Sequence, residues 1–262
     1  MRPIIITTHR TGSTLICELL FNIAAQRFKY KNNLDEYFTI TTLYNSDYQK
    51  VNGIIRIVSR ERTSFDRQQA TYDSDNVKLT ALKLSNRLTI LNRIELLRND
   101  PNYMIKLFSS DFTNEILDFV VSTYDLIYLE RKDKLKQFLS FMGLVQTNVA
   151  HYTKDSSSAV NQIVYDAKWA KEFIRLDKQY QDFKRAHSGK ILYYEDFVEL
   201  GSDETALIQL LDLPVENIKK KTINTVPTPY IADLEDLIVN KDEWLKDRDS
   251  ILNNLRLNAL GN

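Results

Sequence analysis

The stretch after the first apolar run of the chain carries residues suited to binding an anion. It reads THRTGSTLICELL, from Thr8 to Leu20. Gly12 lets backbone approach a ligand closely, and Arg10 is a fixed cation. The hydroxyls of Ser13 and Thr14 can donate hydrogen bonds to phosphate or sulfate oxygens. The stretch therefore predicts a binding site for a phosphate or sulfate group.

A Walker A loop does not fit this stretch. That pattern requires a glycine, four residues and then Gly-Lys-Ser/Thr, and here both the second glycine and the lysine are missing. Without that lysine and a Walker-type arrangement of Mg²⁺ ligands, ordinary ATP hydrolysis is disfavoured.

Short apolar runs alternate with longer amphipathic stretches along much of the chain. This alternation predicts right-handed crossovers and a P-loop-like three-layer α/β fold, with a mostly parallel sheet between helices. Ligands of such sheets bind at the carboxyl ends of the strands, where a helix N-terminus attracts anions. The predicted strands are Pro3–Thr7, Tyr103–Phe108, Asp125–Leu129 and Lys190–Tyr194, and the predicted helices are Leu15–Phe28, Thr113–Thr123, Asp133–Gln146 and about 160–186.

The composition of the chain disfavours some kinds of partner and indicates the cell compartment in which we expect the protein. The 35 Lys and Arg residues balance the 35 Asp and Glu residues, so no general basic field favours nucleic acid or an anionic membrane. One cysteine, Cys17, and three histidines disfavour disulfides and a metal site. No apolar run is long enough for a signal peptide or a membrane span, so we expect a cytoplasmic protein.

The chain has no composition shift that marks a domain boundary. Its 6 Gly and 5 Pro are scattered, which predicts a single domain over residues 1–262. Two parts fit the alternation poorly: an excursion around 39–102, with the polar stretch Ser59–Asn76, and a loop plus helix around 222–262. We expect the first of these to shape an acceptor-binding site.

The anion-binding stretch also suggests a family. HRTGSTLICELL resembles the PRSGSTLLCELL-like loop of sulfotransferases that use 3′-phosphoadenosine 5′-phosphosulfate (PAPS), especially in the bacterial trehalose sulfotransferase branch. Further segments resemble that family in the same order along the chain. The resemblance implies that the 5′-phosphosulfate of the donor is held by Arg10, Thr11, Gly12, Ser13 and Thr14.

Residues 129–142, LERKDKLKQFLSFM, resemble the segment in which an arginine and a serine bind the 3′-phosphate of PAPS. A cation at a strand end and a hydroxyl eight residues later, two turns into the helix, can converge on one phosphate. Counting back eight from Ser140 gives Lys132, whereas the arginine is its neighbour, Arg131. Either residue could supply the charge. The alternative is that both are solvated charges at a helix start and that Ser140 is a surface hydroxyl.

Residues 33–38, NLDEYF, resemble the PGEYF segment whose glutamate is the general base. Leu34 and Asp35 replace the proline and glycine, and the resemblance assigns the base to Glu36. The alternative is a solvated acidic loop.

The strand YMIKLF resembles the family's G-I-K strand, so Lys106 either contacts the transferring sulfuryl group or extends to the edge of the sheet.

The later part of the chain carries one more segment that resembles the family and one basic stretch. ILYYEDF resembles the family's YEDL segment, which implies a structural role in which Glu195 and Asp196 cap or brace loops. We find no Arg/Lys-Gly loop near the carboxyl end to cover the 3′-phosphate. Closure over the donor could come from Lys219–Lys221, a stretch that is otherwise a solvated helix end.

The resemblance implies transfer of a sulfuryl group from PAPS to a hydroxyl of a small acceptor, such as a carbohydrate. The product nucleotide is 3′,5′-adenosine bisphosphate (PAP), and the reaction requires no metal in principle. Arg10, Lys106 and Glu36 are the expected catalytic residues. Two alternatives remain: a P-loop-like kinase or nucleotide hydrolase, and a non-catalytic descendant that binds PAP.

Overall fold

The described residues, 2–39, 46–59, 76–147, 162–214, 218–220 and 234–261 of this computed structural model, form seven strands and eight α-helices. The strands are β1 (Pro3–Thr7), β2 (Asn32–Asp35), β3 (Ser46–Val51), β4 (Ile54–Ser59), β5 (Tyr103–Phe108), β6 (Asp125–Glu130) and β7 (Lys190–Tyr193). The helices are α1 (Ser13–Arg27), α2 (Asn76–Arg98), α3 (Asn114–Thr123), α4 (Lys134–Thr147), α5 (Ala167–Ala186), α6 (Tyr194–Glu199), α7 (Glu204–Leu210) and α8 (Lys241–Leu260).

Strand β1 lies at the centre of a parallel five-stranded sheet of order β2-β5-β1-β6-β7. Its sequence, PIIIT, is buried along its whole length, as expected for a strand covered on both faces. Thr7 stands level with Phe108 of β5 and with Leu129 of β6, so three strands end at one edge of the sheet. The predicted α/β fold with a mostly parallel sheet is confirmed.

Alternate residues of β1 enter different hydrophobic clusters because successive strand side chains point to opposite faces. Ile4 and Ile6 pack in a cluster with residues of α2, α3 and α5. Ile5 packs in a second cluster with residues of α1, α6 and α7. A third cluster joins α4, α5 and α8 around Trp244. Helices therefore cover both faces of the sheet.

The region between α1 and β5 contains more regular structure than the sequence predicted. Strand β2 is short and polar, and β3 and β4 form a separate antiparallel hairpin. Helix α2 occupies Asn76–Arg98. Of the polar stretch Ser59–Asn76, residues 60–75 lie outside the described residues.

The predicted helix from about 160 to 186 is wrong at its start, because α5 begins at Ala167. The Asp166 side chain accepts a hydrogen bond from the Lys168 amide and caps the helix there. Before it, Ile163 forms a β-bridge with Ile238. Among the described residues, no helix combines the length and apolar character needed to cross a membrane.

Candidate functional site

The β1–α1 loop, residues 8–12, lies at the carboxyl edge of the sheet. Its backbone is left-handed at two residues, with φ of 64° at Arg10 and 77° at Gly12. Hydroxyl groups fix the turn from within: Thr7 Oγ1 lies 2.6 Å from Thr11 Oγ1, and Thr11 Oγ1 donates to the carbonyl oxygen of Thr8 at 3.1 Å. The loop is therefore a defined shape.

Helix α1 begins directly after this loop. Gly12 occupies its N-cap position and has no side chain to accept the first amides, and the first turn, Ser13–Ile16, holds no acidic residue. The amides and the positive end of the helix dipole therefore face the edge of the sheet. This arrangement is suited to binding an anion.

A tyrosine that the sequence had not singled out packs against the loop. A Cβ atom added to Gly12 would lie 2.1 Å from Cε2 of Tyr194, so the ring fits only against a glycine. The guanidinium carbon of Arg131 lies 4.6 Å from the centre of the same ring. Tyr194 thus joins the loop to the end of β6, and the only sequence signal for it was its place in the YYEDF segment.

The sequence left open whether Arg131 or Lys132 supplies the charge for the 3′-phosphate. In the structure, these two side chains lie in different surroundings. Arg131 is against Tyr194, and its Nε is buried without a hydrogen-bond partner in the described structure. Lys132 is exposed and forms an ion pair with Asp196, while its backbone amide donates to Glu195 at 3.0 Å. Glu195 and Asp196 therefore brace this turn, as predicted. Tyr194 therefore contacts both Arg131 and the β1–α1 loop, whereas Lys132 pairs with Asp196.

Ser140 meets the loop directly. Nε of Arg10 donates a hydrogen bond to Ser140 Oγ at 2.9 Å. The structure therefore brings together two predicted residues that come from separate segments of the chain. Both polar groups lie at the edge where α1 begins.

Gln137 is a further contact that the sequence did not reveal. Its side chain is fully buried, and Nε2 donates to Thr8 Oγ1 and to the carbonyl oxygen of His9, both at 2.7 Å. Gln137 lies one helical turn before Ser140, so one face of α4 contacts the loop at two points. A glutamine within an amphipathic helix carries no signal of its own, which is why sequence reasoning missed it.

Lys106 is the centre of a second group of polar side chains. Its side chain is fully buried, with Nζ 2.9 Å from Thr14 Oγ1, 3.0 Å from Asp35 Oδ1 and 3.2 Å from Glu36 Oε1. Burial acts to lower the pKa of Lys106, but the charges of the two carboxylates outweigh it and raise that pKa. Lys106 is thus a buried cation beside the start of α1, and it does not extend to the sheet edge.

The turn after β2 brings both carboxylates to this lysine. The pairing of β2 with β5 shifts register between Asn33 and Asp35, which sets Asp35 beside Ile105. Asp35 has a φ of 49°, a conformation that a glycine adopts more easily. The PGEYF motif has glycine at this position, so the departure in this chain adds a carboxylate next to Glu36. The sequence showed the substitution but not its contact with Lys106.

His9 is a neutral residue within the loop. Its ring stacks on Phe108 with the ring centres 4.6 Å apart, and Nε2 lies 3.3 Å from Ser110 Oγ. Burial, followed by the positive charges of Lys106 and Arg10, lowers the pKa of His9 to about 4. His9 therefore adds no positive charge near neutral pH.

The predicted closure by Lys219–Lys221 does not match the described contacts. Lys220 forms an ion pair with Asp203, at the start of α7. The carbonyl oxygen of Lys219 accepts from Asn22 and Gln26, in the later part of α1. These two lysines therefore lie away from the β1–α1 loop, while residue 221 lies outside the described residues. Within the described ranges, no group of three or more His, Cys, Asp or Glu side chains could hold a metal ion.

Comparison with known proteins identifies the family. The family model for Stf0 sulphotransferase matches residues 3–186. The chain belongs to the Stf0 sulphotransferase family. The predicted resemblance to sulfotransferases of the trehalose branch is confirmed. Searches of curated proteins and of solved structures each gave no significant match.

The Stf0 match covers all of the residues on which the site was predicted, from Arg10 to Ser140. It ends before Tyr194, which packs against the loop from outside the matched region. Membership of this family makes the protein a sulfotransferase, a transferase of sulfur-containing groups.

Proposed function

We propose that the protein transfers the sulfuryl group of PAPS to a hydroxyl of a small acceptor and releases PAP. One observation supports this most directly. The buried Lys106 ammonium lies between Thr14, at the start of α1, and the carboxylate of Glu36. An anion-binding helix start, a cation and a base are therefore within a few ångströms, as sulfuryl transfer requires.

The β1–α1 loop supplies the groups for the phosphosulfate. Backbone amides of residues 11–14, with Arg10 and the hydroxyls of Ser13 and Thr14, would bind the 5′-phosphate and stabilise the charge that develops as the S–O bond to it breaks. Arg10 already contacts Ser140, so the loop and α4 would bind neighbouring parts of the donor.

The 3′-phosphate would be bound by Arg131 with Ser140. The buried Nε of Arg131, without a hydrogen-bond partner among the described residues, fits an anionic ligand at this place. Lys132 is engaged with Asp196 and would contribute less. A 3′-phosphate contact would distinguish PAPS from ATP.

Glu36 would act as the general base. Its side chain is 29% exposed, which leaves the carboxylate accessible to an acceptor while one oxygen contacts Lys106. As the acceptor oxygen forms its bond to sulfur, its proton passes to Glu36 and the phosphate of PAP departs. Lys106 would balance charge on the sulfuryl oxygens during this step.

Calorimetric titration with PAP tests the donor site. We expect PAP to bind without metal and more tightly than ATP with Mg²⁺, and we expect Ser140→Ala to weaken PAP binding. Ser122→Ala is the control, because Ser122 Oγ donates to carbonyl oxygens of its own helix, α3. Binding of ATP but not of PAP would contradict the proposal and favour a kinase.

Turnover of radiolabelled PAPS with a panel of hydroxyl acceptors tests the transfer. Glu36→Gln should retain PAP affinity and lose most turnover, whereas Glu199→Gln, at the end of α6, should change neither. Unchanged turnover in Glu36→Gln would remove Glu36 from the role of base. PAP binding without turnover of any acceptor would indicate the non-catalytic alternative.

A further inference from the structure

Asp111 is a buried carboxylate that the proposed chemistry does not use. It ends a short 3₁₀ helix, Ser109–Asp111, directly after β5, and only 8% of the residue is exposed. Its Oδ2 accepts two hydrogen bonds, from the Phe108 amide at 3.2 Å and from Thr39 Oγ1 at 3.0 Å. One oxygen therefore connects the end of β5 with the segment after β2.

Both connected segments carry residues of the proposed reaction. The amide of Thr39 donates to the carbonyl oxygen of Glu36 at 3.2 Å, so Thr39 closes the turn that carries the base. Phe108 lies two residues after Lys106 on β5. The Asp111 carboxylate therefore links the turn that carries Glu36 to the end of the strand that carries Lys106.

The surroundings of Asp111 make its charge sensitive to pH. Burial raises the pKa of Asp111 to about 6, and the negative charge of Glu36 adds to this effect. The hydrogen bonds that Asp111 accepts act in the opposite direction, because they stabilise the ionised carboxylate. Ser110 Oγ lies between Asp111 Oδ1, at 3.4 Å, and His9 Nε2, at 3.3 Å. Helix α5 packs on this 3₁₀ helix, and its Phe183 contacts Phe112. The negative charge of Glu172, also on α5, favours the protonated form of His9.

We propose that Asp111 is a positioning residue whose carboxylate locks the Glu36 turn onto the end of the Lys106 strand, and that protonation of Asp111 loosens this lock. An ionised carboxylate accepts hydrogen bonds about twice as strongly as a neutral group, so the protonated form holds Thr39 and Phe108 less firmly. The inference rests on the proposed function, because it assigns the lock to the proposed base. It predicts loss of turnover as the pH falls through about 6.

Three variants test the lock by turnover. Asp111→Ala removes it, and we expect kcat to fall by about 10-fold or more at pH 8, with KM for PAPS changed by less than about threefold. Asp111→Asn keeps an acceptor oxygen but is neutral at every pH, so it should resemble the protonated wild type: kcat should be low at pH 8 and should show no further decline near pH 6. Thr39→Val removes the hydroxyl that the Asp111 carboxylate holds, so kcat at pH 8 should fall as it does in Asp111→Ala and the decline near pH 6 should be lost.

Asp118→Asn is the matched control, because Asp118 is exposed on α3, and its pH profile should equal that of the wild type. A pH profile of Asp111→Asn that keeps the wild-type decline would overturn the proposal. So would wild-type kcat in Asp111→Ala.

Hydrogen–deuterium exchange tests the lock without any substrate. At pH 7.5, Asp111→Ala should exchange faster than wild type over residues 32–39, with no change over residues 3–27. Unchanged exchange over 32–39 would refute the lock even if turnover fell. Faster exchange combined with no sulfuryl transfer by the wild type would leave the lock standing and contradict the proposed function instead.

Discussion

Replacing Gly12 by alanine should destabilise the protein through two separable effects. The first is backbone strain, because Gly12 has a φ of +77°. The second is a collision, because the new Cβ would lie 2.1 Å from Cε2 of Tyr194, where ordinary contacts begin at 3.4 Å. The ring must therefore move by more than an ångström for alanine to fit.

The left-handed conformation costs an alanine about 1–2 kcal/mol relative to glycine. Overpacking of a well-packed contact costs about 1–3 kcal/mol more. We therefore expect Gly12→Ala to lower the free energy of unfolding by about 2–5 kcal/mol, the sum of the two effects.

Gly53 is a matched control for the strain alone. It has a φ of +75°, close to that of Gly12, and a Cβ added there meets nothing within 4 Å. Gly53→Ala should therefore lower the free energy of unfolding by only about 1–2 kcal/mol.

Urea denaturation of the two single variants, together with Gly12→Ala in a Tyr194→Ala background, separates the effects. Removing the ring should reduce the cost of Gly12→Ala to that of Gly53→Ala, since only strain then remains. An equal cost of Gly12→Ala with and without the Tyr194 ring would refute a collision between the new Cβ and that ring. Calorimetry with PAP on the same proteins would show whether the displaced ring also weakens donor binding.

Further substitutions test the charges of the site. Arg131→Ala should weaken PAP binding by about 10- to 100-fold, whereas Lys132→Ala should change it by less than about threefold, because exposed ion pairs contribute little; equal losses in calorimetry would contradict this assignment. Lys106→Met should lower kcat by about 100-fold or more in the sulfuryl-transfer assay while Asp100→Asn, outside the site, does not. The folded-state pKa of His9 is about 4, below its usual 6.5, so stability attributable to neutral His9 is complete above pH 6.5 and is lost as the pH falls towards 4. His9→Phe should therefore lessen the decline of thermal stability over this interval, and an equal decline in both proteins would be the opposite result.

The local parts of this site could be predicted from the sequence. The β1–α1 loop and the start of α1 follow from a β-branched run, a glycine and an amphipathic stretch, all within the first part of the chain. The resemblance added Glu36 and Lys106, which parallel pairing of β2 with β5 brings within 3.2 Å.

Contacts between distant segments could not be predicted in the same way. Tyr194 and Gln137 reach the loop through packing of whole helices. The sequence around Gln137 does not mark it, and Tyr194 is marked only by its place in the YYEDF segment. The choice between Arg131 and Lys132 depends on the direction of each side chain at the turn, where Asp196 attracts the lysine outward. Strand β2 escaped the hydrophobic pattern because its sequence, NNLD, is mostly polar.

The hydrogen bonds inside the β1–α1 loop have a consequence for ligand affinity. Thr7, Thr11 and Gln137 fix the loop before any anion arrives, so the conformational entropy of the loop is lost during folding and not during binding. A bound anion then accepts hydrogen bonds from the loop amides without the entropic cost of ordering the backbone. Stability and affinity are thereby linked, since a substitution that loosens these bonds would weaken both together.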